Sequence, residues 1–408
     1  MLDREVNPYT PNAGAMPTAL AGRDEYRDQF GLLLRRLQRG YTEKSMILTG
    51  LRGVGKTVLL NDFARQARTA GWRVIEIEIP RHDNDNWFRK QVAQGTRRAL
   101  LSLSTPDRWR DRVRTALSVL KNFSISVDPD GKLTAGLDIK PVLGLGDADD
   151  LVHDMTDLFV SLGEAAQEEG TGVVFLVDGI QFLSALQLES LIMALHKTVQ
   201  RALPVTMVGA GLPQIAKLSG DAKSYAERLF QFREIGALPD IDAQTALRAP
   251  AERERVSFTP DALTKCVEIT EGYPYFIQEI GYAVWRVAAG TPITKRDVEL
   301  AESDYISRLD ESFFRVRLDR ATPLEKSYMK AMSELGPNPH TAGDVAKLLG
   351  RTTQQLGGVR KGLIEKGLLY SPSDYGLAQF TVPQFDRFIM RTIPDLDVPP
   401  LRPRQKRN

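Results

Sequence analysis

Residues 45–60 read SMILTGLRGVGKTVLL, and within them Gly50, Leu51, Arg52, Gly53, Val54, Gly55, Lys56 and Thr57 have the spacing G-x-x-x-x-G-K-[ST]. Glycines at 50, 53 and 55 let the backbone take conformations closed to residues with side chains, so successive N–H groups can turn onto an anion. A lysine after the last glycine would reach the β- and γ-phosphates of a nucleotide. The Thr57 hydroxyl would sit on Mg²⁺, which offsets the charge those phosphates develop. The chemistry on offer is phosphate binding and phosphoryl transfer.

Such a loop works only between a strand and the N-terminus of a helix, whose dipole end favours anions. Ser45 to Thr49 is a short apolar run of strand type. Beyond Thr57 the pattern turns helical, with Val58, Leu59, Phe63 and Ala67 apolar and Asn61, Asp62, Arg65 and Gln66 between them. Further along, Gly172-Val-Val-Phe-Leu-Val-Asp178 is an uninterrupted apolar run ending in a carboxylate. It reads as a strand buried on both faces, and its carboxyl end is where doubly wound sheets bind ligands, so Asp178 is expected to partner Thr57 and Mg²⁺. Trp72–Ile79 alternates as a strand with one polar face, and 203–209 and 230–235 supply two more strands. Helical stretches separate all of these, which implies an α/β core with a parallel sheet.

The composition sets limits. A chain of 408 residues is too long for one ordinary core. No segment approaches the length of a membrane span, and the N-terminus lacks an apolar signal core. With a single cysteine, Cys266, no disulfide framework exists, so a cytoplasmic protein is expected. Four scattered histidines offer no metal-site spacing. A formal charge of +2 gives no whole-chain argument for nucleic acid.

The expected organisation is an extended arm over 1–20, broken by prolines 8, 11 and 17, then a core over 21–238. Inside the core, two period-two runs flank Asp128-Pro-Asp-Gly131, which predicts an inserted β-hairpin over about 123–140. Residues 239–318 form an all-helical lid. Residues 319–396 give three short helices and a strand pair, the pattern of a winged helix-turn-helix, and 397–408 is a basic, disordered tail.

In this order of parts the chain resembles AAA+ P-loop ATPases of the origin-recognition/initiator type and the STAND and archaeal-type ATPases that share their layout. The resemblance covers about residues 20–390. It implies ATP and Mg²⁺ as ligands, with Gly22-Arg23 against the adenine and Pro274, in Gly272-Tyr273-Pro274, touching the nucleotide from the lid. It implies a homo-oligomer in which an arginine ahead of the last core strand acts across the subunit boundary. Arg228 is the candidate, with Arg233 the runner-up. Lys56 and that arginine would be the catalytic cations.

One departure matters. In these families the Asp of the buried strand is followed by a Glu that orients the attacking water, but here Asp178 is followed by Gly179. Ala210-Gly211 likewise stands where a polar γ-phosphate sensor is usual. The resemblance therefore implies an ATP-controlled switch with slow hydrolysis, or else an active ATPase using another carboxylate. If Gly179 has φ below zero, Gly179→Glu should raise turnover. The third helix of the winged region carries Arg351, Thr352, Thr353, Gln354, Gln355, Arg360 and Lys361, and the tail adds Arg402, Arg404, Lys406 and Arg407. Duplex DNA and a protein surface both remain as partners.

Overall fold

The computed structural model describes residues 2–81, 84–103, 111–125, 144–215, 226–372 and 376–400. It resolves into two compact units, one of Gly22–Gly50 with Gly55–Ile235, the other of Met1–Ala21, Leu51–Val54 and Gly236–Asn408.

The first unit is built on a five-stranded sheet in the order β2-β3-β4-β1-β5, with β1 Ser45–Thr49, β2 Arg73–Glu78, β3 Val173–Asp178, β4 Val205–Gly211 and β5 Phe230–Glu234. Every pairing is parallel. β1 and β4 are buried along their whole length, as strands covered on both faces must be. Helix α1, Asp24–Gln38, and helix α2, Lys56–Thr69, belong to one face, and the Phe30 and Phe63 rings stack at 4.3 Å between them. The other face is covered by α3 Asp85–Leu103, α4 Asp111–Ile125, α5 Leu151–Glu168 and α6 Ala185–Gln200. Ile75, Ile77, Val173, Phe175, Val177, Val205 and Met207 all point into that cluster. By the period-two alternation of a strand, Glu76, Glu78 and Asp178 face α2 instead.

The second unit is mostly helical. After the single turn α7, Ala226–Leu229, which belongs to the sheet unit, come α8 Asp240–Arg253, α9 Pro260–Thr270, α10 Pro274–Val287 and α11 Lys295–Arg308. A π-helical turn, Leu309–Phe314, and the short α12, Arg315–Leu318, follow directly. The last part runs α13 Pro323–Leu335, β6 His340–Thr341, α14 Ala342–Leu348, α15 Thr353–Glu365, β7 Leu369–Tyr370, β8 Leu377–Phe380 and α16 Phe385–Thr392, with the strands ordered β6-β8-β7. Residues 2–21 contain no regular element, yet they are anchored: Tyr9 is buried, its hydroxyl donates to the Leu247 carbonyl at 2.5 Å, and Trp285 Nε1 donates to the Asp3 carbonyl at 2.7 Å. The Tyr9 ring takes the space above Gly281 of α10, where a Cβ would come within 2.5 Å of it.

Two expectations change. Helix α4 runs through Phe123, Ser124 and Ile125, the first residues of the expected hairpin; buried Phe123 and Ser124 continue the apolar face of the helix, and Ile125 ends it exposed. The rest of that hairpin, and residues 401–408 of the basic tail, lie outside the described residues. The strand β6, the π-turn and α16 have no counterpart in the sequence reading. Among the described residues no helix is long and apolar enough to cross a membrane.

Candidate functional site

The phosphate loop leaves β1 and enters α2, as its residue types require. Gly55 caps α2 at φ +93°, a conformation open to glycine, with nothing within 4 Å of where a Cβ would stand. Lys56 and Thr57 are the first two residues of the helix. Lys56 Nζ donates to the Gly50 carbonyl at 2.8 Å, so its ammonium lies back across the loop. Val58 is half-buried behind them.

Thr57 Oγ1 donates to Asp178 Oδ2 at 2.5 Å, and the Gly179 N–H donates to Asp178 Oδ1 at 2.8 Å. The carboxylate at the end of β3 is thus oriented through both oxygens and meets the one hydroxyl that the motif aims at a cation. A hydroxyl and a carboxylate are donors suited to Mg²⁺, which commonly takes one or two protein oxygens and completes its shell with phosphate and water. Among the described residues no three His, Cys, Asp or Glu side chains gather to hold a metal by themselves. The pair fits an ion brought in with a nucleotide.

The middle of the loop, residues 51–54, groups with the second unit. The Tyr275 N–H donates to the Gly53 carbonyl at 3.2 Å, the Tyr273 hydroxyl donates to the Arg52 carbonyl, and the Arg52 N–H donates to the Thr381 carbonyl at 3.2 Å. Gly53 is packed so closely by the Tyr273 and Tyr275 side chains that a Cβ there would lie 3.0 and 3.2 Å from them. Tyr275 stacks on Phe313 at 4.5 Å, Phe313 meets Phe314, and Phe314 stacks on Phe388 at 5.2 Å. The π-turn is what presents Phe313 and Phe314 together to this column. The Arg317 guanidinium lies 4.0 Å over the Phe313 ring. Burial, with the like charge of Arg52 added, lowers its pKa to about 10, so it stays charged at neutral pH. Leu51 and Val54 complete this segment, Val54 being buried.

Pro274 is the first residue of α10, between the two tyrosines that hold residues 52 and 53. Gly22 takes φ +65°, and Arg23, buried, precedes α1 with Nη1 3.3 Å from the Gly22 carbonyl. Arg228 is exposed on α7, directly before β5, whereas Arg233 on β5 lies 4.0 Å from Glu25.

The condition set for Gly179→Glu fails. Gly179 has φ +76°, and a Cβ there would stand 2.9 Å from the Ile79 carbonyl oxygen. The carboxylate missing after Asp178 cannot be grafted back at that position, because the backbone turns there into the short helix Ile180–Phe182. Sequence reasoning also passed over Gln181. Its Oε1 accepts from the Leu212 N–H at 3.2 Å, and Ile180 and Gln181 fill the space where Cβ atoms on Gly209 and Gly211 would go. Gly209 and Gly211 at the end of β4 make room for this turn.

A family model of the AAA ATPase domain matches residues 19–208, and one of a Domain of unknown function (DUF8462) matches residues 311–389. No curated protein matches the chain. Among solved structures, the Walker-type ATPase paby2304 of Pyrococcus abyssi aligns over 89% of this chain and 95% of its own, at 14% identity and a TM-score of 0.55. Cdc6p of Pyrobaculum aerophilum aligns over 96% of this chain and 97% of its own, at 15% identity and 0.46. The Orc1 protein of Aeropyrum pernix, solved in complex with DNA, aligns over 96% of each chain, at 15% and 0.44.

Gly179→Ala is expected to cost about 1–3 kcal/mol of stability, the price of a side chain in the left-handed region against a carbonyl. Denaturant unfolding checks this; a midpoint equal to that of the native protein would contradict the conformation described.

Proposed function

With residues 19–208 an AAA ATPase domain on a parallel P-loop sheet, we propose that the chain binds ATP with Mg²⁺ and works as a nucleotide-controlled switch with slow hydrolysis. One observation carries the reading: the phosphate loop enters α2 with the Thr57 hydroxyl on the Asp178 carboxylate, at the carboxyl edge of the sheet. Lys56 would release the Gly50 carbonyl for the β- and γ-phosphates, while Thr57 and Asp178 would hold the ion. When bound, Mg²⁺ supplies charge neutralisation of those phosphates. The backbone N–H groups from Gly53 to Thr57 line the anion, and Gly22-Arg23 and Pro274 are assigned to the nucleotide by resemblance. Gly179 has no side chain to position water, so the residue that usually speeds hydrolysis at this place contributes nothing here.

The switch is supported by the hold on residues 51–54. Tyr273, Tyr275 and Thr381 bind the very segment that must settle around the phosphates, so a nucleotide that moves it biases the aromatic column and the helices behind it. The C-terminal part, read as a winged helix, would present a different surface in each state. Lys56→Ala is expected to lose about 2–5 kcal/mol of Mg-ATP affinity, since it leaves the phosphates without their cation. In the native protein ATP should change hydrogen exchange at Arg52 and Thr381, and in the variant it should not. Undiminished affinity in a direct titration would sink the site assignment.

The preferred partner of the winged region is a protein surface. Arg360 donates to the Leu377 carbonyl at 2.7 Å and to Ser371, Arg351, just before α15, donates to the Pro399 carbonyl at 2.7 Å, and Lys361 lies 3.7 Å from Glu365, so these cations have partners within the chain. Duplex DNA is the second reading, favoured by exposed Thr353 and Gln354 at the head of α15. A fluorescence anisotropy titration separates them: DNA binding through phosphates must weaken steeply from 50 to 200 mM salt, roughly 10³-fold for six contacts. Absent or salt-insensitive binding leaves the protein surface.

Arg228, exposed ahead of β5, is proposed to reach the nucleotide of a neighbouring copy in a homo-oligomer. Mixing Arg228→Ala with Lys56→Ala protein should then restore part of the turnover that each alone lacks. Mixed oligomers without recovery would refute the shared site.

A further inference from the structure

The parallel register of β2 with β3 sets Glu78 directly beside Asp178. Residues in register on neighbouring parallel strands lie on the same face, about 4.8 Å apart. That face is fixed twice over: Asp178 meets Thr57 at the head of α2, and Glu76, two residues before Glu78, pairs with Arg68 of the same helix. Glu78 is therefore directed to the α2 side, at the edge where the phosphate loop opens, and its side chain is one methylene longer than that of Asp178. It is exposed, and among the described residues it has no hydrogen-bond or ion-pair partner.

Resting on the ATP-binding reading above, we propose that Glu78 orients the attacking water for hydrolysis, the task for which Gly179 has no side chain. Among the described residues, the other carboxylates near this edge are otherwise placed. Glu76 is held by Arg68 and lies two residues back from the edge. Asp85 accepts from Gln187 Nε2 at 3.0 Å. Glu234 ends β5, with β4 and β1 between it and β3, roughly 14 Å away by strand spacing. The strand beside β3 thus offers a carboxylate at the register level of Asp178, where β3 itself continues into glycine.

The step balances with water alone. The water oxygen forms a bond to the γ-phosphorus as the bond from that phosphorus to the β,γ-bridging oxygen breaks, and ADP leaves with the bond's electron pair. Glu78 accepts the water proton as the attack proceeds and releases it to the phosphate or to solvent. Glu78 acts by accepting a proton and forms no covalent intermediate, and because an amide is too weak a base for this, a carboxylate is needed.

Glu78→Gln keeps shape and size and tests the inference in the full-length protein. Nucleotide affinity, measured by direct titration, should match that of the native protein. Turnover should fall about 10²-fold or more with KM unmoved, and nucleotide recovered from the protein after incubation should remain ATP instead of becoming ADP. Glu78→Asp should retain an intermediate rate, and Glu76→Gln should leave it within twofold. Equal turnover in Glu78→Gln and the native protein would overturn the inference, as would native protein that holds ATP uncleaved through a single-turnover incubation. In both cases intact ATP binding leaves the switch standing. If native protein and Lys56→Ala bind ATP equally, the reading of the site itself fails instead.

Discussion

Everything at the site hangs on one row of backbone hydrogen bonds. β3 is held in parallel register between β2 and β4, and β4 between β3 and β1, so that Glu78, Asp178, Ala210 and Leu48 stand level across the sheet. A slip of one residue in any pairing would turn a strand's alternate side chains to the other face. Asp178 would then leave Thr57 and enter the apolar cluster under α5 and α6. The register is secured by that cluster, since Phe175 stacks on Phe159 at 4.2 Å and Val173 and Val177 have no exposure. Apolar packing on one face thus fixes the position of the carboxylate on the other.

The same edge shows why the usual side chains after β3 and β4 are lacking. The chain leaves β3 through a left-handed Gly179, and the turn that follows presses Ile180 and Gln181 onto Gly209 and Gly211. A Cβ at Gly179, Gly209 or Gly211 would lie 2.9 Å from its nearest neighbour, so something would have to shift. These five residues form one packing unit, and the loss of the two polar positions is a single structural fact and not two independent ones.

The sequence made the strand–loop–helix around Lys56, the buried β3 with its terminal Asp178, and the helical boundaries from Asp240 to Arg308 legible, because each has a strong period or an unmistakable punctuation. It did not reveal that residues 51–54 are held by Tyr273, Tyr275 and Thr381, since those partners lie more than 200 residues away and nothing in local pattern joins them. Glu78 was visible only as part of a polar strand face; its importance needs the pairing of β2 with β3, which a propensity pattern does not specify. Nor does composition distinguish a cation that meets solvent from one such as Arg360, turned inward to the Leu377 carbonyl. The hairpin signature over 123–140 misled at its start because Phe123 and Ile125 alternate like a strand, while Phe123 lies on the apolar stripe of α4 and Ile125 is its exposed last residue.

The slot for Tyr9 bears on how the chain is made. Its walls come from Leu247 and Gly281, and the hydroxyl bond closes a separation of 238 residues. During synthesis the segment around Tyr9 therefore waits until α10 has been made before its own burial is possible, while the sheet unit, complete by Ile235, can fold ahead of it. Nascent chains halted between those two points would carry a folded sheet and a loose segment around Tyr9, open to proteases until α10 is added.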